Sequence, residues 1–182
     1  IFVDGNEVSI DSPEDSKKLG IGMVHQHFKL VDVFSAADNI WMGQDKTGLV
    51  LKKDRYSYIE DISRKFGFDI DPKKKVYNMS VSEKQTLEII KVLSYGAKTI
   101  ILDEPTAVLT VQEIEKLFGV LRRMKEEGHA IIIITHKLNE VMEISDRVAI
   151  LRKGEYITTV NTSETNEQEL TEWMVGRKID LN

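Results

Sequence analysis

Thr99-Ile100-Ile101-Leu102-Asp103-Glu104-Pro105-Thr106 is the stretch around which the chain is organised. A run of β-branched and apolar residues passes straight into two adjacent carboxylates. A run that apolar, bounded by polar residues, predicts a strand buried on both faces. Two acids at its C-terminal end stand at the open edge of a parallel sheet, where α/β folds place their ligands. Asp103 is placed to hold a hydrated magnesium ion, and Glu104 to polarise a water for attack on a phosphoryl group. A strand ending in a solvated acidic turn fits the same residues, so the flanking sequence has to decide.

Downstream, Thr110-Val111-Gln112-Glu113 is a capping box that opens a helix. Ile114, Leu117, Phe118, Leu121 and Met124 mark its buried face. Arg122, Arg123, Lys125, Glu126 and Glu127 form a solvated face, and Gly128 ends the helix. Ala130 to Ile134 is a second fully apolar strand, closing with Thr135-His136-Lys137. A His in that position lies on the same sheet edge as Glu104 and can hydrogen-bond a terminal phosphate; capping or packing would use it equally well. Leu138, Val141 and Met142 predict a short amphipathic helix. Arg147 to Arg152 and Tyr156 to Val160 predict strands around the Lys153-Gly154-Glu155 turn. Thr165 starts a last helix, with Leu170, Trp173 and Met174 inward and Gly176 at its end.

Upstream, Ile1 to Ile10 predicts two short strands around Asp4-Gly5. Ser12-Pro13-Glu14-Asp15 starts a short helix that Gly20 stops, and Ile21 to His25 is another apolar strand. The loop that follows carries Gln26, whose amide can accept from a metal-bound water and donate to a phosphate oxygen. Phe28, Leu30, Val33 and Phe34 in this loop serve either the core or a partner surface. His25 and His27 lack a third ligand nearby, so local packing and hydrogen bonding are the better reading of the pair. Ser35 caps a helix to about Gly43. Gly43 to Gly48 has the spacing of a phosphate loop, but Leu49-Val50 follows where Lys and Ser or Thr are needed, and it reads as a surface turn. Lys53 to Ser94 is helical, with Ile59, Ile62 and Phe66 on one face of a helix that Gly67 stops. Asp71 to Asn78 reads as a solvated connection. Met79-Ser80-Val81-Ser82-Glu83 opens a second helix with Ser80 or Ser82 as its cap, and Leu87, Ile90 and Leu93 on its apolar side. A Ser-rich helix start is an anion site in principle, although most such starts bind nothing.

The chain has 182 residues, a net charge of -5 and no cysteine. It can bury a real core, has no disulfide framework or thiolate metal site, and has no bulk positive charge for a nucleic acid. No apolar run is long enough to span a membrane and no signal peptide is visible. These features predict a soluble, cytoplasmic chain. Its start at Ile1 in mid-strand reads as a piece of something longer. Strands alternating with helices predict an α/β fold with a largely parallel sheet.

Together these pieces resemble the nucleotide-binding domain of ABC transporters, over nearly the whole chain. Ile100 to Asp103 resembles the Walker B strand, Glu104 the catalytic carboxylate, Gln26 the Q-loop glutamine and His136 the switch histidine. Met79 to Glu83 stands where the family has its LSGGQ signature. "GIGMVHQHFKLV", "DEPTAVLT", "ITHKLNEVM" and "MVGR" resemble the first ATPase domain of the simple-sugar and nucleoside importers. The resemblance implies a P-loop NTPase (RecA-like) α/β fold, a parallel sheet flanked by helices. It implies one partial ABC ATPase domain over 1–182, with core pieces 1–45 and 95–182 and an inserted helical subdomain, 46–94. The GxxxxGK loop ending in Ser or Thr is absent from these residues, so an N-terminally truncated domain is expected. Val81, Ser82 and Glu83 replace the usual two glycines and Gln, and Thr110 replaces the D-loop Asp.

The implied cofactors are ATP and Mg2+. Asp103 and Gln26 would hold the magnesium, partly through water, Glu104 would orient the attacking water, and His136 would contact the terminal phosphate. Ser80, Ser82 and Glu83 would act on the nucleotide of a second nucleotide-binding domain. The Gln26 loop would face a membrane permease at the cytoplasmic face of the cell membrane. No nucleic-acid partner is implied: a DNA-repair or chromosome-organising ATPase would need long coiled-coil arms, and no sustained heptad pattern exists. A non-catalytic binding fragment stays open as the alternative. Without the phosphate loop, little ATP hydrolysis is expected of the 182 residues alone, and an open sheet edge predicts self-association.

Overall fold

The structure, a computed structural model, describes residues 1–42 and 52–176; the phosphate-loop-like spacing at 43–48 lies outside them. The chain forms two compact units, Ile1–Ile134 and Thr135–Asn182.

The first unit opens with a hairpin, β1 (Phe2–Val3) and β2 (Asn6–Glu7), paired antiparallel. Asp4 and Gly5 take φ of 50° and 80°, the left-handed pair that a tight hairpin turn of this hand requires. Helix α1 (Pro13–Lys18) is capped by Ser12, whose Oγ accepts from the Asp15 N–H. Then come β3 (Ile21–Val24), α2 (Ala36–Trp41), α3 (Lys52–Phe66), α4 (Val81–Ser94), β4 (Thr99–Asp103), α5 (Val111–Glu126) and β5 (Ala130–Ile134). Strands β3, β4 and β5 form a parallel sheet in that order.

The register puts Gly22, Ile100 and Ile131 side by side, and likewise Val24, Leu102 and Ile133. Paired residues of a parallel sheet share a face. On this face Val24, Ile100 and Leu102 are buried, and α4 packs close: a Cβ at Gly22 would lie 2.0 Å from Val92 Cγ1. The opposite face is half-covered at Met23 and Ile101, and on β5 Ile132 and Ile134 are 49% and 48% exposed. The β4 run is therefore buried on one face, not on both. β5 lies at the sheet edge with β4 as its only partner among the described residues.

Two connections differ from expectation. Asp71 to Asn78 is not simply solvated: it holds a 3-10 turn, Val76–Asn78, with Val76 fully buried. The Ala36 and Ala37 N–H groups donate to Lys74 and Pro72 carbonyls, and the Val76 N–H donates to Phe34 O. An apolar Val among charged neighbours let this segment close over the start of α2. On α5, Arg123 leaves the solvated face to donate from Nη1 to Phe66 O, 3.1 Å, at the end of α3. A long guanidinium can satisfy a helix C-terminal carbonyl that has no partner in its own helix.

The second unit holds α6 (Leu138–Ile144), β6 (Arg147–Arg152), β7 (Glu155–Asn161) and α7 (Glu167–Val175). β6 and β7 pair antiparallel. Val148, Ile150 and Leu170 form its core, with Val141, Met142, Trp173 and Met174 packed around them. Helix α7 is capped by Asn166, not Thr165; Asn166 Oδ1 accepts from the Glu169 N–H. Gly176 closes the helix in the left-handed region.

Candidate functional site

Glu104 follows β4 directly and takes φ 49°, a left-handed conformation for a residue with a side chain. Such a backbone costs about 1–3 kcal/mol and persists only where the surroundings impose it. Here the Glu104 N–H donates to Ile134 O at 2.9 Å, and the Ala107 N–H donates back to Glu104 O at 3.2 Å. Gln85, one turn into α4 and buried, donates from Nε2 to Pro105 O at 2.7 Å.

A cleft of about 130 Å³ opens beside this turn, lined among others by Gln26, Phe28, Gln85, Asp103 and Glu104. Two strand ends thus deliver the Gln26 loop (from β3) and the acidic pair (from β4) to one place. The volume has room for several waters; a whole nucleotide would extend past it. Asp103 and Gln26 offer hard oxygen donors, the type that suits magnesium, so the donor set fits that ion. His25 and His27 also line the cleft, but among the described residues no Lys or Arg does. Among the described residues no group of three or more His, Cys, Asp or Glu side chains is placed to hold a metal by itself, so ligands from a bound phosphate and from water would complete such a site.

The Gln26 loop is fastened from behind. Buried Glu88 of α4 accepts the Lys29 N–H at 2.8 Å, and Lys91 Nζ donates to Lys29 O at 3.0 Å. Fully buried Asn39 of α2 accepts from Val31 N–H (2.7 Å) and donates to Val31 O (3.0 Å) and Ser35 O (3.1 Å). Gln85, Glu88 and Asn39 were not singled out from the sequence. The available signal was the three-residue spacing that puts Gln85 and Glu88 on the same helix side as Ile89 and Val92.

The signature segment lies at the N-terminus of α4. Ser80, not Ser82, is the cap, in a capping box with Glu83. Glu83 accepts the Ser80 N–H at 2.7 Å and both carboxylate oxygens accept from Lys74 Nζ, at 2.7 and 2.8 Å. Partial burial pushes the Glu83 carboxyl up, but the Lys74 ammonium and the Ser80 N–H outweigh it and hold it below its ordinary value. Glu83 is therefore an anion whose charge Lys74 answers. Ser80, Ser82 and Glu83 do not line the cleft. His136 belongs to the second unit, two residues past the end of β5.

Residues 1–107 match the ABC transporter family, and the chain belongs to that family. It is 42% identical over its whole length to the nucleoside import ATP-binding protein NupA of Lactococcus lactis. It is 47% identical, again over its whole length, to the guanosine import ATP-binding protein NupO of Bacillus subtilis. In each case it covers 36% of the relative, so the chain spans about a third of the length of these curated relatives. Among solved structures it superposes on CbiO1 from Clostridium perfringens with a TM-score of 0.73, at 26% identity over 88% of this chain and 65% of that one. A dimeric ATP-binding cassette bound to ADP and Pi gives 0.72 at 21% identity, over 88% of this chain and 72% of that one. The fold is thus that of the ABC cassettes: a P-loop NTPase, with a parallel sheet flanked by helices.

Proposed function

We propose that this chain is part of the ATP-binding subunit of an ABC importer that hydrolyses ATP to drive uptake of a nucleoside or a sugar. The observation that carries the reading is the cleft in which Asp103, Gln26 and the strained Glu104 meet. The naming of relatives as nucleoside and ribose import ATP-binding proteins supports the cargo class.

Magnesium bound with ATP supplies charge neutralisation at the phosphoryl oxygens. Asp103 would hold it through water, with Gln26 as a further oxygen donor. Glu104, fixed by its turn, would orient the attacking water and accept its proton. His136 would donate to the terminal phosphate. Ser80 and Ser82, with Glu83 neutralised by Lys74, would meet the nucleotide of a second nucleotide-binding domain at the positive end of α4. Residues 46–94 would act as the helical subdomain carrying that surface. Exposed Val33 and Phe34, with Phe28 and Leu30, would form the contact with the permease, placing the protein peripherally at the cytoplasmic face of the membrane. Among the described residues no helix is long and apolar enough to cross a membrane.

Among the described residues no Lys or Arg lines the cleft to meet the phosphates, and the 182 residues contain no GxxxxGK loop. Tight Mg-ATP binding would therefore depend on a phosphate-cradling segment outside them. The test is ATP turnover by the full-length protein. Glu104→Gln is expected to lower kcat by about a hundredfold or more while Mg-ATP still binds. Unchanged turnover would overturn the catalytic reading and leave a binding module.

A further inference from the structure

We infer that Gln85 is a positioning residue for Glu104. It pins the Glu104–Pro105 turn from helix α4, and so ties the strained carboxylate to the helix that begins at Ser80. The inference rests on the reading of Glu104 as the residue that orients the attacking water.

Gln85 is 5% exposed, on a helix side that it shares with buried Glu88 and Ile89. A primary amide in that setting is unfavourable unless it is hydrogen-bonded. Its Nε2 donates to Pro105 O at 2.7 Å. Two main-chain bonds also hold the turn, Glu104 N–H to Ile134 O and Ala107 N–H to Glu104 O. Those come from the sheet and from the turn itself. The bond from Gln85 reaches the turn from another element and depends on one side chain. Without it, the Pro105–Thr106 peptide, one residue past Glu104, loses its anchor on the α4 side, and the left-handed conformation of Glu104, unfavourable for a residue with a Cβ, is free to relax. The carboxylate would then swing away from the water it has to hold. Displacements on the order of 1 Å at a reacting group cost up to about a hundredfold in rate. The same bond makes the position of α4 felt at Glu104. Glu88 and Lys91, further along the same helix, hold the Lys29 backbone of the Gln26 loop. A shift of α4 therefore reaches both strand ends of the cleft.

The experiment uses the full-length protein, with Gln85→Met (same length, no donor) and Gln85→Lys (donor restored at similar reach). Gln85→Met is expected to lower kcat by about ten- to a hundredfold and to leave KM for ATP within about twofold, since only the positioning of the water is lost. Gln85→Lys is expected to recover most of that loss. In a Glu104→Gln background, Gln85→Met is expected to cost nothing further. An equal loss in that background would show that Gln85 acts independently of Glu104 and would overturn the inference. Amide hydrogen exchange gives a readout separate from hydrolysis. The Glu104 and Ala107 amides are expected to exchange about tenfold faster in Gln85→Met and at the native rate in Gln85→Lys. Native exchange in a folded Gln85→Met protein would sink the proposal. If that variant does not fold, Gln85→Glu decides, because it turns an oxygen toward Pro105 O and must disturb the same amides. Native exchange and native kcat in Gln85→Glu would equally refute it. Should Glu104→Gln itself leave turnover intact, the catalytic reading fails, while the exchange data still decide whether Gln85 holds the turn.

Discussion

At the scale of single residues, the parts that hold the cleft are polar side chains bonded to distant backbone. Asn39 makes three bonds to nearer backbone, at Val31 and Ser35, while fully buried. Asn39→Ala would leave the Val31 N–H and C=O without their side-chain partner, at a cost of about 2 kcal/mol. Urea unfolding should show that loss, and the Val31 amide should exchange faster; a native exchange rate there would refute the bond's role. Gly22 is a different case. An added methyl would meet Val92 Cγ1 at 2.0 Å and Ala97 Cβ at 3.3 Å. Gly22→Ala should therefore destabilise by about 1–3 kcal/mol, and Val92→Ala should recover part of it. If the two losses simply add in the double variant, the close approach of β3 and α4 is not the cause. None of these roles was legible beforehand. Glu88 reaches Lys29 across 59 positions of sequence, and Gln85 reaches Pro105 across 20. A polar residue on an apolar helix side announces that it needs a partner, but not which backbone atom will provide one.

At the scale of elements, local chemistry decided more. The capping box of α5 stands where Thr110 and Glu113 predict it, and the Ser80 and Glu83 box begins α4. Thr110→Ala should cost about 1 kcal/mol in thermal or urea unfolding, the usual worth of such a cap. At α4 the ion pair with Lys74 adds a pH dependence. Glu83 is held below its ordinary 4.5 in the folded chain. Its stabilising contribution is therefore present above that value and is lost as the pH falls through the lower folded one. Lys74→Met should consequently cost more stability at about pH 7 than at about pH 3; an equal cost at both would show that the pair is not the origin. The elements that departed from expectation did so for nonlocal reasons. Asp71 to Asn78 reads as solvated by composition, yet Val76 is drawn under the start of α2, where Ser35 also pairs with Lys75. The start of α7 moved from Thr165 to Asn166 because both side chains can cap, and Asn166 is the one whose oxygen meets the Glu169 N–H.

At the scale of the whole molecule, the sheet of the first unit is covered on the face that holds Val24, Ile100 and Leu102, and partly open on the other. Exposed apolar residues on an edge strand favour pairing between copies. The 182-residue chain should therefore sediment with a concentration-dependent mass, and Ile132→Lys should shift it toward the monomer. A single monomeric species for the native chain at all concentrations would refute this expectation. The second unit carries its own core. Leu170 is fully buried there, so Leu170→Ala should cost about 2–5 kcal/mol and raise amide exchange in β6 and β7. The alternation of apolar strands and capped helices, and the acids that close β4, followed from local sequence, because periodicity, caps and turn residues act over a few positions. Which face of β4 is covered, how Glu104 is held in its turn, and which helix ties that turn to the Gln26 loop were decided only in three dimensions. Those features depend on backbone atoms that chain folding brings together from far apart, and no short stretch of sequence encodes their meeting.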